Sequence, residues 1–181
     1  MNSGQERGDV IHELERAVAI LVRSMDARLI PPEGMTIAYA VRGARDAEGV
    51  AGVQGGIINE SGKPYPAGPC TFGTDENGAR IILTAMKFDP VMRSAATIGY
   101  SPAMITAFED MFLECCRFNA SSEPAGISSM DWGVASCFKD GVPDIVYNTE
   151  KPSLIRVFGE KPADVANNII ICSNRVLHSE L

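Results

Sequence analysis

Two apolar runs near the end of the chain, Asp144-Ile145-Val146-Tyr147 and Leu154-Ile155-Arg156-Val157-Phe158, stand six residues apart with Lys151-Pro152 between them. Both are short and rich in β-branched and aromatic residues, which predicts strands. Pro162 then opens an amphipathic stretch to about Leu177, which predicts a helix. Two strands in succession followed by a helix break the strict alternation of a doubly wound fold. The expectation is therefore an α/β fold with a mixed sheet covered by helices.

The rest of the chain fits that frame. Ser101-Pro102 starts a helix with a hydroxyl cap and a proline in the first turn, and a strand follows near Cys115 to Phe118. Ser129 is placed to cap a short helix through Phe138, closed by Gly141. Asp75 to Lys87 reads as a helix with Ile81, Ile82, Ala85 and Met86 on one face. Thr36 to Val41 and Gly55 to Asn59 read as strands joined by a glycine-rich connection, and residues 59–74 as loop. Val10, Leu14, Val18, Leu21 and Met25 form the apolar stripe of a helix over residues 9–28, stopped by Pro31-Pro32. Residues 1–181 are expected to form one domain, with this helix leading into an α/β body over residues 35–177.

Composition narrows the function. The 181 residues are 45% hydrophobic and 22% charged, with a net charge of −7, the values of an ordinary globular chain. No apolar run approaches the ~18 residues of a membrane helix. Met1 to Arg7 carry no hydrophobic leader, so the cytoplasm is the expected compartment. No basic stripe appears along the sequence, which disfavours direct nucleic-acid binding. Five cysteines and two histidines show no metal-ligand spacing, so free, mostly buried thiols and no metal site are expected.

Few residues carry chemistry by themselves. Gly49, Gly52, Gly55 and Gly56 could bring backbone close to a phosphate, but tight turns beside a strand are the commoner outcome. Arg45-Asp46 reads as a local ion pair or as a site pair. Asp75, Glu76 and Asn77 are explained by helix capping. Trp132 packs in the core or stacks on a ligand.

The order of several blocks adds a family. Ile37-Ala38-Tyr39-Ala40, Val50-Ala51-Gly52-Val53, Ala85-Met86-Lys87-Phe88-Asp89-Pro90 and Pro143-Asp144-Ile145-Val146-Tyr147 resemble, in that order, the ThiN-type thiamine-phosphate synthase domain. Glu123-Pro124, Trp132-Gly133 and Ile155-Arg156-Val157-Phe158-Gly159 continue the match. The resemblance implies a three-layer α/β/α fold with a mixed, mostly antiparallel sheet. Such a fold is like that of class II aldolases and of the C-terminal domain of hydroxymethylpyrimidine phosphate kinase. It also implies a reaction: hydroxymethylpyrimidine diphosphate joins thiazole phosphate, giving thiamine phosphate and pyrophosphate. That chemistry needs cations on the leaving group and usually magnesium.

Carried over by resemblance, the ligand-binding positions are Arg45, Asp46, Gly55, Gly56, Asp75, Asn77, Arg80, Lys87, Asp89, Trp132 and Asp144. The chain departs from the family where cations are needed. The family's Gly-Arg-Ile turn reads Gly55-Gly56-Ile57, and its Ser-Arg-His reads Asp75-Glu76-Asn77. A family Asn-Ile-Arg/Lys-Tyr segment reads Thr97-Ile98-Gly99-Tyr100. With Gly56 and Asn77 degenerate, the expectation is a domain that binds a thiamine-related small ligand as sensor or carrier, with catalysis lost or weak. The alternatives are an active synthase using Arg45, Arg80 or Lys87, with magnesium only in that case, and a non-catalytic structural subunit. A homodimer is expected from the family alone.

Overall fold

The computed structural model describes residues 3–119 and 135–176. Four helices lie among them: α1 (Ser3–Ser24), α2 (Glu76–Phe88), α3 (Pro102–Asp110) and α4 (Pro162–Val176). The strands are β1 (Thr36–Ala40), β2 (Val50–Val53), β3 (Ile57–Glu60), β4 (Lys63–Pro66), β5 (Cys70–Phe72), β6 (Ser94–Gly99), β7 (Cys115–Arg117), β8 (Ile145–Tyr147) and β9 (Leu154–Gly159). Seven of them form one sheet in the order β5-β2-β1-β6-β9-β8-β7, while β3 and β4 pair as a separate hairpin. Only β7 and β8 run parallel in the large sheet; its other pairs are antiparallel.

Strand alternation gives the sheet two apolar faces. Ile37, Tyr39, Ala96, Ile98, Ile155 and Val157 join Leu14, Leu21, Phe108 and Ile169 in one core, under α1, α3 and α4. Ala38, Ala40, Ala95 and Phe158 meet Ala79, Ile82 and Ala85 of α2 on the other face. The alanines on that face let the α2 backbone come close to the sheet. The result is the three-layer α/β/α arrangement with a mostly antiparallel mixed sheet. No helix among the described residues is long and apolar enough to cross a membrane.

Several local expectations change. β6, in the middle of the sheet, was not expected at all: Ser94-Ala95-Ala96 has weak strand preference. Pairing with β1 on one side and β9 on the other overrides that preference. β2 lies in what reads as a glycine-rich connection, and β4 and β5 lie in what reads as loop. Gly55 and Gly56 form the turn ahead of β3 rather than its start. α1 begins six residues earlier than its stripe suggests and ends at Ser24, well before Pro31-Pro32. The chain leaves it through a short 3-10 turn, Ala27–Leu29, capped by the Asp26 side chain, which accepts from the Arg28 N–H at 2.9 Å. The cap expected at Ser129 and the end of the last helix at Leu177 lie outside the described residues.

The thiols also require a correction. Cys116 and Cys137 form a disulfide across 21 residues of sequence, and Cys70, Cys115 and Cys172 remain free. Nothing in the cysteine spacing pairs these two positions; folding brings β7 beside the segment that carries Cys137.

Candidate functional site

The site is built around α2. Asp75 caps it, with Oδ1 accepting the Gly78 N–H at 2.8 Å. A β-carbon at Gly78 would meet the Asp75 carboxylate in its present position, so a larger residue there would have to displace that side chain. The helix start rests on β2: a β-carbon on Gly52 would stand 3.2 Å from the Asp75 β-carbon. Burial raises the Asp75 carboxyl above its usual range, opposed by the backbone N–H groups of Gly78 and Asn77. Asn77 follows in the exposed first turn.

Further along the helix, Glu76, Arg80, Thr84 and Lys87 recur at three- to four-residue spacing and share its outer face. Arg45 reaches them from the loop after β1. Together they line a cleft of about 480 Å³ floored by Ala79 and Leu83. Three cations against one carboxylate make this cleft suited to a phosphate-bearing ligand.

The other expected residues are dispersed. Asp46 does not act as an ion-pair partner of Arg45 in a site; its Oδ1 accepts the Glu48 N–H at 3.0 Å and caps a 3-10 turn, Ala47–Gly49. Asp89 caps the end of α2 and accepts the Val91 N–H at 3.3 Å. Asp144 sits at the far edge of the sheet, where Oδ2 accepts the Glu114 N–H at 2.8 Å. Gly55 and Gly56 have φ of +78° and +73°, and Gly56 lies against Met35, outside the α2 cleft. Trp132 lies outside the described residues. Among those residues, no group of three or more His, Cys, Asp or Glu side chains could hold a metal ion.

One charged residue went unremarked in the sequence. Arg156 is 3% exposed, in β9, the strand next to the central β6 on the side toward β7. Its neighbours Ile155 and Val157 belong to the core under α1, so Arg156 projects from the α2 face, between Thr97 and Val146. The guanidinium carbon lies 5.8 Å from the Phe118 ring centre, and burial lowers its pKa to about 10. A lone arginine at the α2-facing register of an apolar strand was the signal available.

Comparison with known proteins places this architecture. The pattern of the family described as thiamine-phosphate synthase ThiN matches residues 13–171. The chain is 36% identical over 166 residues to the bifunctional thiamine biosynthesis protein ThiDN of Methanocaldococcus jannaschii, covering 88% of this chain and 39% of that protein. It is 26% identical over 167 residues to the thiamine-phosphate synthase ThiN of Methanothermobacter thermautotrophicus, covering 86% of this chain and 88% of that one. The chain thus spans well under half of the first relative and most of the second. The crystal structure of the C-terminal domain of phosphomethylpyrimidine kinase superposes with a TM-score of 0.86 at 30% identity, over 92% of this chain and all of that one. A sugar-phosphate aldolase from Thermotoga maritima shares the fold alone, with a TM-score of 0.54 at 11% identity over 96% of this chain and 97% of that one. With the family pattern running from α1 into α4 and a solved relative superposing on 92% of the chain, the chain belongs to the ThiN thiamine-phosphate synthase family.

Proposed function

We propose that this domain binds a phosphate-bearing, thiamine-related ligand at the cleft of Arg45, Arg80 and Lys87, with synthase activity lost or weak. The observation that carries binding is the convergence of three cations on one face of α2 in a chain of net charge −7. Each charge-assisted contact to a phosphate contributes ~1.5–3 kcal/mol, enough together for useful affinity. The weak-catalysis part rests on Gly56 and Asn77. Neither side chain can place positive charge on a departing pyrophosphate, and the turn at Gly56 leaves no room for a larger residue on its present backbone.

The same cleft favours a second reading, an active synthase in which Arg45, Arg80 and Lys87 replace the missing cations. Calorimetric titration with thiamine phosphate, thiazole phosphate and hydroxymethylpyrimidine diphosphate tests binding, and product formation from the two substrates tests catalysis. Thiamine phosphate is expected to bind, with at least tenfold weaker affinity for the double variant Arg45→Gln, Lys87→Gln. Turnover within about tenfold of a family enzyme with the Arg and His, ~1.4 kcal/mol in barrier, promotes the synthase reading. No heat with any ligand leaves a structural subunit.

A further inference from the structure

A second group of cations lies at another rim of the sheet. Arg42 follows β1, Arg93 precedes β6 and Lys161 follows β9, so three strands of the sheet, adjacent in its order, deliver them to one place. They line a cleft of about 380 Å³ closed by Gly43, Val91 and Glu160. We propose that this rim cleft is an anion site for a phosphate or diphosphate group, separate from the cleft on α2.

Arg93 is the fixed element. Its Nε donates to the Ala40 carbonyl oxygen at 3.0 Å, its guanidinium lies 4.8 Å from the Tyr39 ring centre, and Nη2 stands 3.8 Å from Glu6. A guanidinium held this way loses little freedom when an anion arrives. Arg42 and Lys161 are exposed on either side and supply the adjustable charges. Within this lining three cations face one carboxylate, Glu160. In an adjoining cleft the same three cations also line up with Glu6, Asp9 and Glu13 of α1. Glu6 is already engaged, accepting the Arg42 backbone N–H at 2.8 Å. The anion therefore belongs in the cleft lined by Gly43 and Val91, whose lining does not include those three acids.

Titration calorimetry with inorganic pyrophosphate, inorganic phosphate and thiamine phosphate at fixed low salt tests this site. Arg42→Gln, Lys161→Gln removes the exposed cations of the rim and keeps Arg93, so the fold is preserved; Arg45→Gln, Lys87→Gln removes cations of the α2 cleft. Pyrophosphate is expected to bind the second variant, in which the rim site is left intact, and to lose at least tenfold in affinity when Arg42→Gln, Lys161→Gln is added to it. The strongest binder of the three names the source of the phosphoryl group, and each supports the site when its affinity falls in the same way. Equal pyrophosphate affinity in the α2-cleft variant with and without the rim substitutions, or no binding by the α2-cleft variant, overturns the site and leaves these cations as counter-ions of the α1 acids. Failure of the α2 cleft to bind thiamine phosphate has no bearing on that outcome.

Discussion

A β-carbon on Gly56 would stand 2.7 Å from the carbonyl oxygen of Met35, closer than side chains approach backbone in folded proteins. Gly56 also has φ +73°, a conformation that glycine adopts freely and side-chain-bearing residues rarely do. Its N–H closes the turn onto the Val53 carbonyl oxygen at 2.9 Å, and its own carbonyl accepts from Ala67. Glycine at position 56 is thus matched to the turn that holds it.

Gly56→Arg should consequently destabilise the domain by about 1–3 kcal/mol through backbone strain and displacement of Met35. Each kcal/mol lowers the melting temperature of a chain this long by about 2–4 °C. Asn77→His, exposed in the first turn of α2, should stay within about 0.5 kcal/mol of the wild type. Thermal denaturation of both variants checks this, and an unchanged melting temperature for Gly56→Arg contradicts the turn geometry.

Asp75 gives a pH dependence with a defined sign. Burial raises its carboxyl above 3.8, so the fold prefers the protonated form. The stabilising contribution is complete below 3.8 and is lost as pH rises through the folded pKa. Asp75→Asn keeps an acceptor for the Gly78 N–H and carries no charge. Its melting temperature relative to the wild type should therefore climb from about pH 3 to about pH 7. Asp75→Ala loses the cap and should be less stable by about 1 kcal/mol compared with Asp75→Asn. A difference between Asp75→Asn and wild type that stays flat with pH would exclude burial as the dominant influence on this carboxyl.

The cysteines offer a direct count. Denatured without reductant, the protein should expose three titratable thiols, Cys70, Cys115 and Cys172, and five after reduction. In the folded state these three should react slowly with thiol reagents, because burial pushes Cys70 and Cys172 up to about 11 and Cys115 up to about 12. Five thiols without reductant would mean that Cys116 and Cys137 are not joined.

The amphipathic stripes of α1 and α2, the proline opening α4, the cap at Ser101 and the paired runs of β8 and β9 were all legible in the sequence. Each is set by residues within a turn or two of one another, and local periodicity records such relationships. The three-layer arrangement was implied by the resemblance of the ordered blocks to the ThiN family, not by local periodicity. What lay beyond local pattern came from the tertiary structure. β6 is a strand because β1 and β9 pair with its backbone on both sides, not because its alanines favour one. Cys116 finds Cys137, and Arg45 joins Arg80 and Lys87, only once the chain has folded back on itself. Arg42, Arg93 and Lys161 are far apart in sequence and meet only because β1, β6 and β9 end at one rim. Charges and sulfur atoms act over a few ångströms of space, and strand order and register decide which distant residues come within that reach.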